Sequence, residues 1–325
     1  MKRKYLLLAL CALLLVTGCK KVPKLENGQE VIVEINDKQF TADEFFDALK
    51  KEYGASVLVN MVDKYITEKE LTDQMKEDAK KSAKAQYDAY NASYSSMWDS
   101  FLSYNGFNSG EEFLEQLEIV HQQNTVLENY VKSIIKDEEI QKYYDEDIYG
   151  EITARHILIQ PEVKDTMTDA EKKKAEEDAL NEAKQLIEQL KNSTDLENDF
   201  IKLAKEKSED TGSASEGGLI ENFTNDSGLV EEFWEGSLKL EVGKMTEEPV
   251  KTEFGYHIIY KVKQNEKPSL ETVKDKVIDK LVDQMLSAEN ATYVYWAGLR
   301  EKYNLNIHDD IIKDEYNAAM DQIKN

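Results

Sequence analysis

Cysteine is nearly missing from this 325-residue chain: it has two, Cys11 and Cys19, both near the N-terminus. Beyond Cys19 there is no thiol, which excludes a cysteine nucleophile, a thiol redox pair, a disulfide framework and a zinc knuckle. Positive charge is also scarce, with 41 Lys and Arg against 65 Asp and Glu, a net −24. Such a surface repels nucleic acid and offers no phosphate-tracking patch. It keeps a protein soluble beside sticky clients and attracts basic ones. The chain has no glycine-rich phosphate loop and no cluster of metal-ligand spacing, so no cofactor and no metal are expected. The acidic run "DEDIYGE" (145–151) lacks the loop motif of a calcium site and reads as a solvated linker.

Long apolar runs are absent too. The unbroken run at 5–16 is too short to cross a bilayer comfortably. It follows Lys2, Arg3 and Lys4 and precedes "VTGC" (16–19), the order of an export signal with its cleavage site. Small residues before a cysteine resemble a lipobox, in which Cys19 receives diacylglycerol and becomes the new N-terminus. The bland alternative is an ordinary signal peptide that happens to contain Cys19. Residues 1–19 are therefore expected to be a lipoprotein signal. Residues 20–29, polar with Pro23 and Gly28, are expected to be a tether to the membrane.

The roughly 300 residues that remain are too many for one small core and predict two domains. "VIVEINDKQFTADEFFDALKKEYG" (31–54) alternates, turns at Asn36-Asp37 and then opens a helix. Thr41 and Glu44 have capping-box spacing, with Phe40 and Phe45 placed to staple it. Helical periodicity continues from about 57 through 83, and Tyr87, Tyr90, Tyr94, Trp98 and Phe101 line one face of a second helix. That aromatic face suits a core; its alternative is a client-binding surface. Gly106 stops the helix, and Ser109 with Glu112 opens the next, so 30–149 reads as a helical segment after a short strand or hairpin.

At Ile152 the pattern changes. "ITARHILIQ" is a β-branched strand, Thr168–Glu171 and Thr194–Glu197 are spaced to cap two helices, and "GYHIIYKVK" closes with a strand. Residues 150–264 are expected to be an α/β domain with a small mixed or antiparallel sheet. After Pro268 an apolar stripe from Val273 to Leu286 must bury its face against something. The N-terminal helical segment is the obvious partner. The fold class is then α+β, with the α/β domain inserted into a helical one built from 30–149 and 265–325. A coiled-coil homodimer is the rival partner.

The middle segment resembles the parvulin family of peptidyl-prolyl isomerases. The resemblance is carried by "ARHILI" (154–159), "SEDTGSASEGG" (208–218) and "GLVEEFWEGSLKLEVGKMTEEPVKTEFGYHII" (228–259), in family order. With a lipobox in front and helical flanks, the chain is similar to the PrsA-type foldase lipoproteins of Gram-positive bacteria. The resemblance implies an apolar proline cup from Leu229, Phe233, Ile220 and Phe254. It implies paired histidines His156 and His257, an aspartate at Asp210 and a site-tying hydroxyl at Thr252. It also implies unfolded secreted proteins with X-Pro bonds as partners, on the outer face of the membrane. Read without it, Leu229, Phe233 and Phe254 also suit plain core, and Asp210 a turn cap. The chain departs from the family after Gly217-Gly218, with Leu219-Ile220-Glu221 where Asp-Leu-Gly is usual. That departure places Glu221 near the groove and keeps open a second reading, a non-catalytic holdase with a degenerate parvulin domain.

Overall fold

The computed structural model describes residues 22–324; the signal stretch and Cys19 lie outside the described residues. The chain divides into two compact units, one from the N-terminal residues through Ile134 together with Val282 onward, the other Ile135–Leu281.

The first unit opens with a hairpin of β1 (Val31–Ile35) and β2 (Lys38–Thr41), turned by Asn36 at φ 52°. Asparagine tolerates this left-handed conformation better than most residues. Helix α1 (Ala42–Glu70) starts at the expected capping box, where Thr41 Oγ1 accepts from Glu44 N and the Glu44 carboxylate accepts from Thr41 N. The staple beside it does not close into a core, since Phe40 and Phe45 both stay exposed. Helix α2 (Asp73–Tyr94) ends at Ser95, whose φ of 42° breaks the expected single aromatic helix into α2, a 3₁₀ turn and α3 (Trp98–Tyr104). That break folds the aromatics back on one another. Tyr90, Tyr94, Trp98 and Phe101 stack, and Phe113 of α4 (Gly110–Ile134) meets Tyr87, Tyr90, Trp98 and Phe101 edge-on or tilted. The aromatic face is a core of its own, built with Ala83, Leu102 and Leu117.

The second unit begins with α5 (Asp137–Asp147) and β3 (Ile152–Ile159), followed by α6 (Asp169–Lys191) and α7 (Leu196–Lys207). The Thr168–Glu171 capping box forms at α6. The one expected at Thr194–Glu197 does not; Asp195 is the N-cap of α7, and Ser193 reaches Asp199 instead. Then come β4 (Leu219–Phe223), α8 (Glu231–Leu238), β5 (Val250–Thr252), β6 (Gly255–Gln264) and α9 (Leu270–Ser287). The sheet order is β4-β3-β6-β5, with every pairing antiparallel.

Strand parity sorts the faces. Ile157 and Ile159 of β3 and Tyr256, Ile258 and Tyr260 of β6 pack on α6 and α7. Ile152, Ala154 and Ile259 look the other way, toward Phe233 and Trp234 of α8. This unit is wider at both ends than the expected 150–264, for a packing reason. Ile140, Tyr143 and Ile148 share a core with Val277, while Tyr144 Oη donates to Pro268 O at 2.9 Å. So α5 and the first turns of α9 belong with the sheet.

The first unit resumes at Val282 within α9 and continues with α10 (Ala291–Lys302) and α11 (Asp310–Lys324). Trp296 and Leu299 of α10 pack on Ile66 and Leu71 at the end of α1 and on Val126 and Leu127 of α4. Arg300 makes two 2.7 Å hydrogen bonds to both carboxylate oxygens of Asp63. These groups are 3% and 6% exposed. A bidentate geometry is what makes a buried pair tolerable. The two ends of the chain thus close one unit around an ion pair 237 positions apart.

Candidate active site

The site is built on the α8-facing side of the sheet's two central strands. His156 of β3 and His257 of β6 share that face by parity, in diagonal register, since His156 pairs with Ile259 and His257 with Leu158. Their rings lie nearly parallel, centroids 5.4 Å apart, and are 4% and 5% exposed. Phe233 of α8 stands edge-on to both, at 5.2 and 5.3 Å.

A single chain of hydrogen bonds runs through them. Phe254 N donates to Thr252 Oγ1 at 3.1 Å, and Thr252 Oγ1 lies 2.9 Å from His257 Nε2. His257 Nδ1 lies 3.1 Å from His156 Nδ1, and His156 Nε2 lies 2.8 Å from Asp210 Oδ2. Read from the carboxylate outward, the protons fall into place. Ionised Asp210 accepts from His156 Nε2–H, which leaves His156 Nδ1 bare to accept from His257 Nδ1–H. His257 Nε2 is then bare and accepts from the Thr252 hydroxyl. Every ring nitrogen is satisfied with both histidines neutral. The electrostatics of the site agree. Burial pushes the His257 pKa from 6.5 to about 4, and the repulsion that two protonated imidazoles would feel adds to the effect. Burial lowers His156 too, against the opposing pull of Asp210. Burial pushes the Asp210 carboxyl up. Hydrogen bonds from Ser213, His156 and Gly212 N outweigh that and hold it below its ordinary value.

In front of the chain lies an open cavity of about 690 Å³, the size of a small-ligand cleft. His156, Asp210 and His257 line it, as do Ile220, Leu229, Phe233 and Phe254. Thr252 does not; it stands behind His257. Phe233 is both wall and core, 2% exposed and packed on Phe223. Phe254, at 53% exposed, is a rim residue free to contact a ligand. Glu221 falls outside the lining, contrary to the expectation that it charges the groove. It follows Ile220 on β4, so alternation sends it to the opposite face.

The departure after the glycine pair leaves the turn intact. Gly217 and Gly218 both have φ of 70°. A Cβ on Gly218 would lie 2.0 Å from His156 O, so the second glycine permits the close approach to β3. Gly218 O accepts from His156 N at 2.8 Å, which fixes the histidine's backbone directly. Arg155 pins the same loop through Glu216 O and Gly217 O.

The sequence reading missed Ser213. It is buried, donates to Asp210 Oδ2 and lies 2.9 Å from His156 Nε2. Its spacing of three from Asp210 is an aspartate-turn signal that could have found it. Also missed is the apolar outer face of α1. Phe46, Leu49, Tyr53, Val57, Met61 and Tyr65 recur at helical spacing and are all exposed, Met61 at 66%. Val62 and Ile66 of the same helix face the core.

Residues 138–266 match the family model described as the PPIC-type PPIASE domain. The Foldase protein PrsA of Geobacillus kaustophilus is 31% identical over 277 residues, 85% of this chain and 84% of its own. That of Levilactobacillus brevis is 26% identical over 241 residues, 73% and 71% of the two chains. Among solved structures, the foldase protein PrsA of Streptococcus pneumoniae superposes with a TM-score of 0.58, covering 88% of this chain and 98% of its own at 19% identity, a likeness of fold. The identity shared with the Geobacillus relative runs through both units, and the matched domain encloses the histidine pair and its cup. The chain accordingly belongs to the PrsA family of foldases, with a parvulin-type peptidyl-prolyl isomerase as its middle unit.

Proposed function

We propose that the chain is a lipid-anchored foldase on the outer face of the cell membrane, which isomerises X-Pro bonds in secreted proteins after their export. The observation that carries the catalytic reading is the apolar cup of Ile220, Leu229, Phe233 and Phe254 set directly against two neutral histidines and an ionised aspartate.

Rotation about X-Pro faces a barrier of roughly 18–20 kcal/mol and needs no nucleophile. The site has only to bind the twisted amide better than the planar one. Ile220, Leu229 and Phe233 hold the proline ring, and Phe254 covers it from the β5–β6 turn. Twisting ends amide resonance and withdraws negative charge from the carbonyl oxygen. Asp210, ionised at the cup's edge, disfavours the polar planar form more than the twisted one. His156 and His257 carry no proton to the substrate; their fixed tautomers, tied off by Thr252, hold Phe233 and Asp210 in place.

The test is the exchange rate of X-Pro peptides, followed by NMR, with the chain from Lys20 onward. Catalysis is expected, with Asp210→Ala lowering kcat/KM by roughly tenfold, about 1.4 kcal/mol. No acceleration over buffer across many X-Pro peptides would overturn the reading.

The anchoring part rests on Lys2, Arg3 and Lys4, the apolar run and "VTGC". Cys19→Ser is expected to release the protein from membranes or leave an unprocessed precursor. Unchanged membrane partition with normal signal removal would refute it. The chaperone part belongs to the first unit, where the exposed face of α1 supports the holding of apolar segments of unfolded clients. Tyr87, Tyr90 and Trp98 are committed to the aromatic core and Tyr94 is stacked on Tyr90 and Phe101, so these four are set aside as that surface.

A further inference from the structure

A second cavity adjoins the proline cup. Its volume is about 440 Å³, and Gln160 and Glu209 line both spaces. Its apolar lining is Ile159, Met167, Ala175 and Ala179. The remaining lining is acidic: Glu162, Glu171, Asp178, Glu182 and Glu209, against one cation, Lys174. Some of these acids have intramolecular work. Glu171 caps α6, Asp178 pairs with Lys174 at 2.6 Å, and Glu182 meets Lys207 at 3.5 Å. Glu209 is held at the shared wall by a hydrogen bond from Gln160 N, with its own amide donating to Leu158 O.

Among the described residues the cup's lining carries charges of one sign, Glu209, Asp210 and Glu253, and no lysine or arginine. Among the described residues no three of these acids converge closely enough to hold a metal ion. An apolar wall with a spread acidic rim fits a long side chain with an aliphatic stem and a cationic tip.

We propose that this adjoining cavity is a specificity subsite, and that the isomerase prefers prolines with a lysine or arginine within two residues. The proposal rests on the assignment of the cup as the prolyl site. The stem of the basic side chain lies along Met167 and Ala179 while its charge faces Glu162, Glu182 and Glu209. An acidic side chain at the same place meets only like charge and is rejected. Exposed charge pairs are individually weak, so the preference is several-fold and sensitive to salt.

The experiment measures kcat/KM for one peptide frame with Lys, Leu or Glu placed in turn at each of the two positions before and after proline. At one position at least, Lys is expected to exceed Glu by about tenfold at low ionic strength, with Leu between. The ratio should shrink toward one at high salt. Glu162→Gln combined with Glu182→Gln should bring the Lys peptide down toward the Leu peptide, and the Gln changes preserve side-chain shape. Equal acceleration of all peptides, or a Lys preference that salt and the double variant leave unchanged, overturns the subsite and leaves the isomerase standing. Absence of acceleration for every peptide counts instead against the prolyl cup.

Discussion

The two units spend their apolar residues differently. Among the described residues, the large apolar side chains left exposed in the isomerase unit are Val163, Val242 and Phe254, and the last is at the cup's rim. The helical unit exposes many along the hairpin and α1, including Ile35, Phe46, Tyr53, Val57 and Met61. A sheet covered by helices on both faces buries its apolar side chains almost completely and leaves shaped openings. A helix with apolar residues on two faces can bury one and present the other. The first arrangement suits a site that must distort one bond. The second suits a surface that must accept many sequences. The polar groups differ in the same sense: a neutral, directional histidine chain in one unit, a buried ion pair holding distant chain segments together in the other.

The largest expected effect tests whether the units are independent in stability. Arg300→Ala leaves the Asp63 carboxylate buried without its partner and should cost the helical unit about 3–5 kcal/mol. Calorimetry should show its transition falling while the transition of the isomerase unit stays in place. A common shift of both transitions would mean the two unfold as one. Phe233→Ala is the matching change in the isomerase unit. Because Phe233 is core as well as wall, it should cost about 3–5 kcal/mol of stability along with activity. Loss of activity with unchanged chemical stability would contradict its burial.

Acid should also separate the units. His257 has its folded pKa lowered from 6.5 to about 4, so the neutral form favours the fold. That stability is complete above pH 6.5 and is lost as pH falls to about 4, some 3 kcal/mol in all. Asp210, also lowered, adds a loss in the same direction at more acidic pH. Neither histidine of the helical unit is buried. Melting temperatures across pH 7 to 4 should therefore fall chiefly in the isomerase transition, and less so in His257→Asn. A flat profile in the wild type would show that the histidines gain protons without cost. The smallest stability effect belongs to α1. Val57→Ser with Met61→Ser should change stability by about 0.5 kcal/mol or less while weakening suppression of client aggregation. A large loss of stability would mean that this face is covered, and sedimentation would then show whether a second copy covers it.

Much of this molecule was legible in local spacing. Thr41–Glu44, Thr168–Glu171 and Ser109–Glu112 announced helix starts because a cap is decided within one turn of chain. The alternation of "ITARHILI" and "GYHIIYKV" announced strands, and the order of the motif segments marked the isomerase. Thr194–Glu197 misled because the helix begins one residue later, with Asp195 in the N-cap position. The kink at Ser95 carried no proline or glycine to signal it.

Everything non-local had to wait for the fold. Periodicity along α1 marked its apolar residues without separating the ones that meet Trp296 and Leu299 from the ones left in water. Asp63 gave no hint of Arg300, and α5 gave no hint that it would pack with the start of α9 instead of with the helices before it. The sequence by itself determined most of the helix starts and the two central strands, and which chemical groups were available for a site, because those depend on neighbours a few residues away. Tertiary structure alone decided that His156 and His257 touch, that Ser213 joins Asp210, that Glu221 turns away, and that a cavity with an acidic rim lies beside the proline cup. Those outcomes depend on which face of one element meets which face of another, and pairing across a hundred residues leaves no local pattern to read.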